Sequence, residues 1–99
     1  MVHPCPKGYQ IDFSRDVLKY LGSIDKSLSQ KIIKKVSELS DCVENLNIKK
    51  LKSKSYDLYR LRVGDIRVVY SIEHKRITIC VVAVGPRKDI YNKIKSLLG

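Results

Sequence analysis

Arg60, Arg62, Arg67, Arg87 and Tyr91 are the side chains best placed by type and spacing to do chemistry. Arg60 and Arg62 stand two apart in an alternating stretch, so both project from one face of a strand. Arg67 falls on the next alternating stretch and Arg87 just beyond a third. Antiparallel pairing that puts Arg67 on the Arg60 face gathers these guanidiniums into one patch, each a planar fork of donors for phosphate oxygens. Tyr91 follows Arg87 by four, the spacing that aligns two residues along one side of a helix. Four arginines and a tyrosine, with no metal or cofactor expected, fit cleavage of an RNA phosphodiester. There the 2′-hydroxyl attacks the adjacent phosphate, and the protein orients the backbone, offsets growing negative charge and moves protons. Lys50, Lys52 and Lys54 of the lysine-rich segment Asn47–Ser55, together with Arg62, are expected to dock the RNA.

Plainer roles compete for the same residues. A basic strand face is often only solvated, and Arg67 could instead form an ion pair with Glu73 or Asp57. Tyr91 could close the edge of the core. His3 and His74 fall in a terminus and a turn, so neither is placed as a base. Glu73 beside His74 could form an acid–base pair at a strand end. Asp12, Asp16 and Asp25 show no paired-carboxylate spacing, and the sequence has no glycine-rich phosphate loop.

The charge is lopsided in the same sense as the arginines. Residues 1–45 carry seven Lys/Arg against six Asp/Glu, and residues 46–99 carry thirteen against four, giving a net +10. A basic half beside a nearly neutral one points to a polyanion, phosphate backbone first and an acidic protein second. An apolar content of 43% in 99 residues is that of one globular domain, residues 1–99, with residues 1–8 expected to be loose. No run approaches a membrane span. Cys5, Cys42 and Cys80 form no CxxC, and two of the three sit in apolar patterns, read as reduced, buried thiols of a cytoplasmic protein.

The elements that must position the arginines follow from periodicity. Tyr9–Phe13 alternates as a short strand. Ser14 can cap a helix carrying Val17, Leu18 and Leu21, interrupted at Gly22-Ser23. Leu28, Ile32, Val36, Leu39 and Val43 then recur at helical spacing, capped either by Ser27 with Gln30 or by Asp25. From Tyr56 the period becomes two, with turns at Gly64-Asp65 and His74-Lys75 and a strand end at Pro86. Arg76 to Val84 is apolar on both faces, as in a central strand. Ile90, Ile94 and Leu97 mark a last short helix. The order β-α-α-β-β-β-α gives an α+β fold: a small, mostly antiparallel sheet, two N-terminal helices on one face, and a short C-terminal helix.

The segment LKSKSYDLYRLRVGDIRVVYS at Leu51–Ser71, followed by VVAVGPRKDIY at residues 81–91, resembles the RelE/ParE toxin superfamily. It is closest to the RelE-type mRNA interferases. The most specific pieces are YRLRVGDIRVVY and VGPRKDIY, and the likeness runs from the strand near Tyr9 to Tyr91. It implies the toxin of a type II toxin–antitoxin system, a ribosome-dependent, metal-independent endoribonuclease that cuts mRNA in the A site and inhibits translation. It also implies an acidic, RelB-like antitoxin and a toxin–antitoxin hetero-oligomer. By this resemblance Arg67 is the phosphate-binding arginine of the meander, Arg87 the arginine after the last strand, and Tyr91 the tyrosine that stacks or moves protons. Arg60 stands where the family often has a catalytic lysine, Lys52 matches a basic loop residue, and Leu58 replaces a second lysine. ParE-like relatives share the fold and inhibit DNA gyrase, and other relatives bind RNA or ribosomes with weak catalysis, so both remain as alternatives.

Overall fold

A computed structural model describes residues 6–51 and 57–98. His3, Cys5, Lys52, Lys54 and the side chain of Leu97 lie outside the described residues. The elements are β1 (Gln10–Phe13), α1 (Arg15–Ser23), α2 (Lys26–Ser40), β2 (Ile48–Leu51), β3 (Leu58–Val63), β4 (Ile66–Glu73), β5 (Thr78–Pro86) and α3 (Arg87–Leu98). They form the expected α+β architecture around one sheet of order β1-β5-β4-β3-β2. β1 runs parallel to β5, and every other pair is antiparallel. Among the described residues no helix is long and apolar enough to cross a membrane.

The helix starts follow capping chemistry. The Ser14 hydroxyl accepts from the Val17 amide at 3.2 Å and opens α1. At α2 the cap is Asp25, whose carboxylate accepts from the Ser27 amide at 3.1 Å and places a negative charge at the positive end of the helix. The helix stops at Ser40, short of Val43. Cys42 turns left-handed at φ 56°, and the Val43 amide donates back to the Glu38 carbonyl at 3.2 Å, so Val43 leaves the apolar stripe and is exposed. That turn also corrects the thiol expectation. Cys42 sits half-exposed beyond the helix instead of in the core and is disulfide-bonded, while Cys80 remains free and half-buried.

The period-two segments sort their side chains into two cores. On one face, Leu61, Val68, Ile79 and Val81 pack with Val17 and Leu21 of α1 and with Ile32, Val36 and Leu39 of α2. Burying each such aliphatic fully contributes about 1.5–3 kcal/mol, so this core carries the fold. On the other face, Leu58, Val69 and Ala83 pack under Ile90 of α3, with Ile94 beside them. A bulge reconciles the two. Val69 pairs with Ala83 and Tyr70 with Val81, so Val82 is an extra residue and Val81 and Val84 both reach the larger core. β5 is an interior strand as expected, flanked by β1 and β4, and it ends at Pro86, its last paired residue, opposite Ile66.

One strand escaped the sequence pattern. β2 lies within the segment read as a lysine loop and pairs with β3, making the order β-α-α-β-β-β-β-α. It is a four-residue edge strand whose two central residues are exposed lysines, which is how natural edges discourage further pairing. Its apolar signal is confined to half-buried Ile48 and Leu51.

Candidate functional site

The β3–β4 hairpin brings the arginines together. Arg62 and Arg67 are direct cross-strand partners, Arg60 lies two residues back on the same face, and Lys49 of β2 sits opposite Arg60. Gly85 faces Arg67 from β5, so no side chain covers it from that strand. Two residues later Arg87 opens α3, and Tyr91 follows one turn on. Ile90 and Ile94 anchor this helix on the small core, so the same packing that buries them delivers Arg87 and Tyr91 to the basic patch.

These side chains line a groove of about 360 Å³, bounded by Lys49, Leu51, Arg60, Arg62, Arg67, Arg87, Ile90, Tyr91 and Ile94. Its cationic heads are held by neutral oxygens. The Gly64 carbonyl accepts from Arg62 Nε at 3.3 Å and from Arg67 Nη1 at 3.2 Å, and the Ile66 carbonyl takes a further, longer contact from Arg67. Gly64 adopts φ 58°, the left-handed turn conformation that glycine enters without a steric penalty. Arg60 Nη2 donates to the Asn47 side-chain oxygen at 3.0 Å, while Arg60 Nε is buried without a partner.

The electrostatics record this crowding. Partial burial, then the charges of Arg62, Arg60 and Arg87, disfavour the Arg67 cation, with Asp65 offsetting in part. Arg87 lies 5.7 Å from the Tyr91 ring centre, and its hydrogen bond and charge hold the Tyr91 phenol below its ordinary range, with Lys49 and Arg67 adding to this. Tyr91 is 54% exposed, too open to be closing the core.

The structure therefore brings Arg60, Arg62, Arg67, Arg87 and Tyr91 to one place, with Arg62 inside the groove and not at a separate docking edge. Lys50 is not with them. It pairs in register with Tyr59, alternation turns it to the other side of β2, and its ammonium lies 3.5 Å from Asp57. Lys49 takes the place expected of Lys50, and recognising β2 would have assigned it by parity. Asn47 carries no sequence signal of its role. The ion pairs weighed for Arg67 go elsewhere: Glu73 binds Arg76 at 2.7 Å and Asp57 faces Lys50. His74 accepts or donates at 2.8 Å with the Tyr9 hydroxyl, at the far end of β4 from the groove. Leu58 is fully buried beneath α3 and forms no part of the basic surface.

A family model described as the ParE toxin of the type II toxin–antitoxin system parDE matches residues 11–91. A RelE-like toxin protein of Escherichia coli is 37% identical over 89 residues, spanning 85% of this chain and 90% of that protein. Among solved structures, the archaeal RelE–RelB complex from Pyrococcus horikoshii OT3 aligns with a TM-score of 0.67 at 31% identity, over 80% of this chain and 94% of the matched one. The isolated Escherichia coli RelE toxin shares the fold, with a TM-score of 0.64 at 23% identity over 92% of this chain and all (100%) of that one. The chain belongs to the RelE/ParE family of toxins from type II toxin–antitoxin systems.

Proposed function

We propose that this toxin is a ribosome-dependent endoribonuclease that cuts mRNA in the A site and so arrests translation in the cytoplasm. The observation that carries this reading is the groove, where Arg60, Arg62, Arg67 and Arg87 converge beside Tyr91 with no carboxylate among the described residues that line it. Cleavage by the RNA's own 2′-hydroxyl leaves a 2′,3′-cyclic phosphate and a 5′-hydroxyl. In its transition state negative charge grows on the non-bridging phosphate oxygens. Fixed guanidiniums in a partly desolvated groove stabilise that charge more than the ground state. Arg67 and Arg87 take the phosphate oxygens, Arg60 and Arg62 hold the flanking backbone, and Tyr91 stacks on a base or passes a proton. Lys52 and Lys54 extend RNA docking, with Lys49 replacing Lys50 at the groove. Among the described residues the lining offers no imidazole or carboxylate to serve as general base. Part of the proton transfer therefore comes from ribosomal groups, and cutting of free RNA is expected to be slow.

The basic surface also fits an acidic, RelB-like antitoxin in a hetero-oligomer, a partner supported by the RelE–RelB complex of the 31%-identical structural relative. A second reading, inhibition of DNA gyrase, draws on the ParE description of the matching family model. Adding purified protein to translating ribosomes and mapping mRNA 5′ ends tests the first reading, and new ends within A-site codons are expected. Uncut message together with blocked supercoiling by gyrase would replace it with the second.

A further inference from the structure

We infer that Asn47 is a positioning residue for this groove, its side-chain oxygen fixing the Arg60 guanidinium without cancelling its charge. The inference rests on the RNA-cleaving reading above and adds a residue to it. Asn47 grips β3 at two alternate residues. Its backbone carbonyl accepts from the Arg62 amide at 2.9 Å, and its side-chain oxygen accepts from Arg60 Nη2 at 3.0 Å. The first bond sets the distance between Asn47 and β3, so the second inherits the register of the sheet. That second bond is the only hydrogen bond the Arg60 side chain makes among the described residues, since its Nε is buried without a partner. Without Asn47 the guanidinium would be free to swing, and ordering it would fall on the substrate-binding step.

The chemistry of the acceptor matters as much as its place. A carboxylate at the same point would hold Arg60 as firmly but cancel its charge, as Glu73 alone already does for Arg76. An amide oxygen orients the cation and leaves its charge for an incoming phosphate. Removing the amide also leaves the backbone bond to Arg62 in place, so the hairpin keeps its register in a side-chain variant.

The test compares the wild-type toxin with Asn47→Ala and Asn47→Asp, in ribosome-dependent cleavage and in binding to a single-stranded RNA oligonucleotide over a range of salt. Asn47→Ala is expected to lose about tenfold in turnover from misplacement of Arg60, with an unchanged salt dependence of binding. Asn47→Asp, which keeps the tether but neutralises Arg60, should lower the salt slope by about 0.7, the contribution of one phosphate contact on a single strand. Wild-type turnover in Asn47→Ala would overturn the inference. If the wild-type protein itself cuts no message, the nuclease reading fails, and ¹⁵N NMR of the arginine side chains decides the matter separately. Arg60 rotation that is slow in the wild type and released in Asn47→Ala supports positioning. Equal rotation in both overturns it.

Discussion

Arg67 and Arg76 lie toward opposite ends of β4, and their partners make them different tools. Arg76, in the turn after β4, donates to Glu73 at 2.7 Å and to Asp12 of β1 at 3.4 Å. Its charge is balanced, and it ties the edge strand to the turn. Among the described residues the Arg67 guanidinium donates only to the carbonyls of Gly64 and Ile66, and its charged neighbours include Arg62, Arg60 and Arg87. One end of the sheet uses arginine as a clip. The other collects arginines whose mutual repulsion Asp65 offsets only in part and an incoming anion would relieve further. The difference shows that residue type alone does not mark a site; the marker is a cation oriented by neutral oxygens.

The strongest way to break this comparison is to delete each arginine in turn. Arg67→Ala is expected to reduce ribosome-dependent mRNA cleavage by about 10²–10³-fold, the scale for one preorganised charge stabiliser. Arg76→Ala should stay within about twofold of wild type, because exposed ion pairs contribute about 1 kcal/mol at most and this one does not touch the groove. Mapped 5′ ends, quantified over time, give both numbers. Equal losses would mean that diffuse positive charge, and not a defined groove, does the work.

Leu58 offers the next largest effect and sharpens where the basic surface ends. By resemblance this position holds a lysine in the best-known RelE enzymes, yet here it is fully buried with Val69, Ala83 and Ile90. Leu58→Lys is therefore expected to cost about 3 kcal/mol or more, since the new ammonium would have no partner in an apolar core. Chemical denaturation measures this as a lowered midpoint. A variant as stable as wild type would show that α3 can lift to let the lysine reach the groove, and then cleavage should rise.

Much of this was legible in the sequence, for reasons that can be named. Parity puts Arg60 and Arg62 on one face and helical spacing puts Arg87 and Tyr91 on one side, because those periods are fixed by backbone geometry, whereas Arg67 joins them only through the Arg62–Arg67 register of the hairpin. The larger core under α1 and α2 follows from the same alternation, but the smaller one of Leu58, Val69, Ala83 and Ile90 does not, because it needs α3 to cover part of the basic face. Less legible was anything set by contacts distant in sequence. The bulge at Val82 depends on how β5 meets β4, and β2 reads as a loop because its central residues are exposed lysines. Missing β2 exchanged Lys49 for Lys50. Asn47 is an ordinary polar residue until the sheet brings Arg60 to it, 13 residues later.

Tyr91 gives a smaller effect with a definite sign. Its phenol titrates below the ordinary range, first because Arg87 donates a hydrogen bond to it and then because positive neighbours favour phenolate. Arg87→Ala removes both of the leading causes, so the titration of Tyr91 should move up. Lys49→Ala should move it in the same direction by less. The ring carbon bearing the hydroxyl, followed by ¹³C NMR against pH and assigned with Tyr91→Phe, reports the shift. No movement in Arg87→Ala would show that the two side chains do not share a hydrogen bond in solution.

The smallest expected effect separates the two turns that end β4. Both need a left-handed residue. The turn beside the groove supplies Gly64 at φ 58°, and the turn beside Arg76 uses Ile77 at φ 50°. A β-branched side chain is strained there by roughly 1–2 kcal/mol, which asparagine escapes in part by tolerating that conformation. Ile77 is 55% exposed, so its own burial returns little of the cost. Ile77→Asn should therefore stabilise the protein by about 0.5–1 kcal/mol, read as a higher denaturation midpoint, with cleavage unchanged. Gly64→Ala should go the other way on both counts, because it strains the turn and shifts the carbonyl that aims Arg62 and Arg67. If Ile77→Asn instead loses stability, the isoleucine is held by contacts that outweigh its backbone strain. The β4–β5 turn would then be a packed corner of the fold and not merely the compensated end of the sheet.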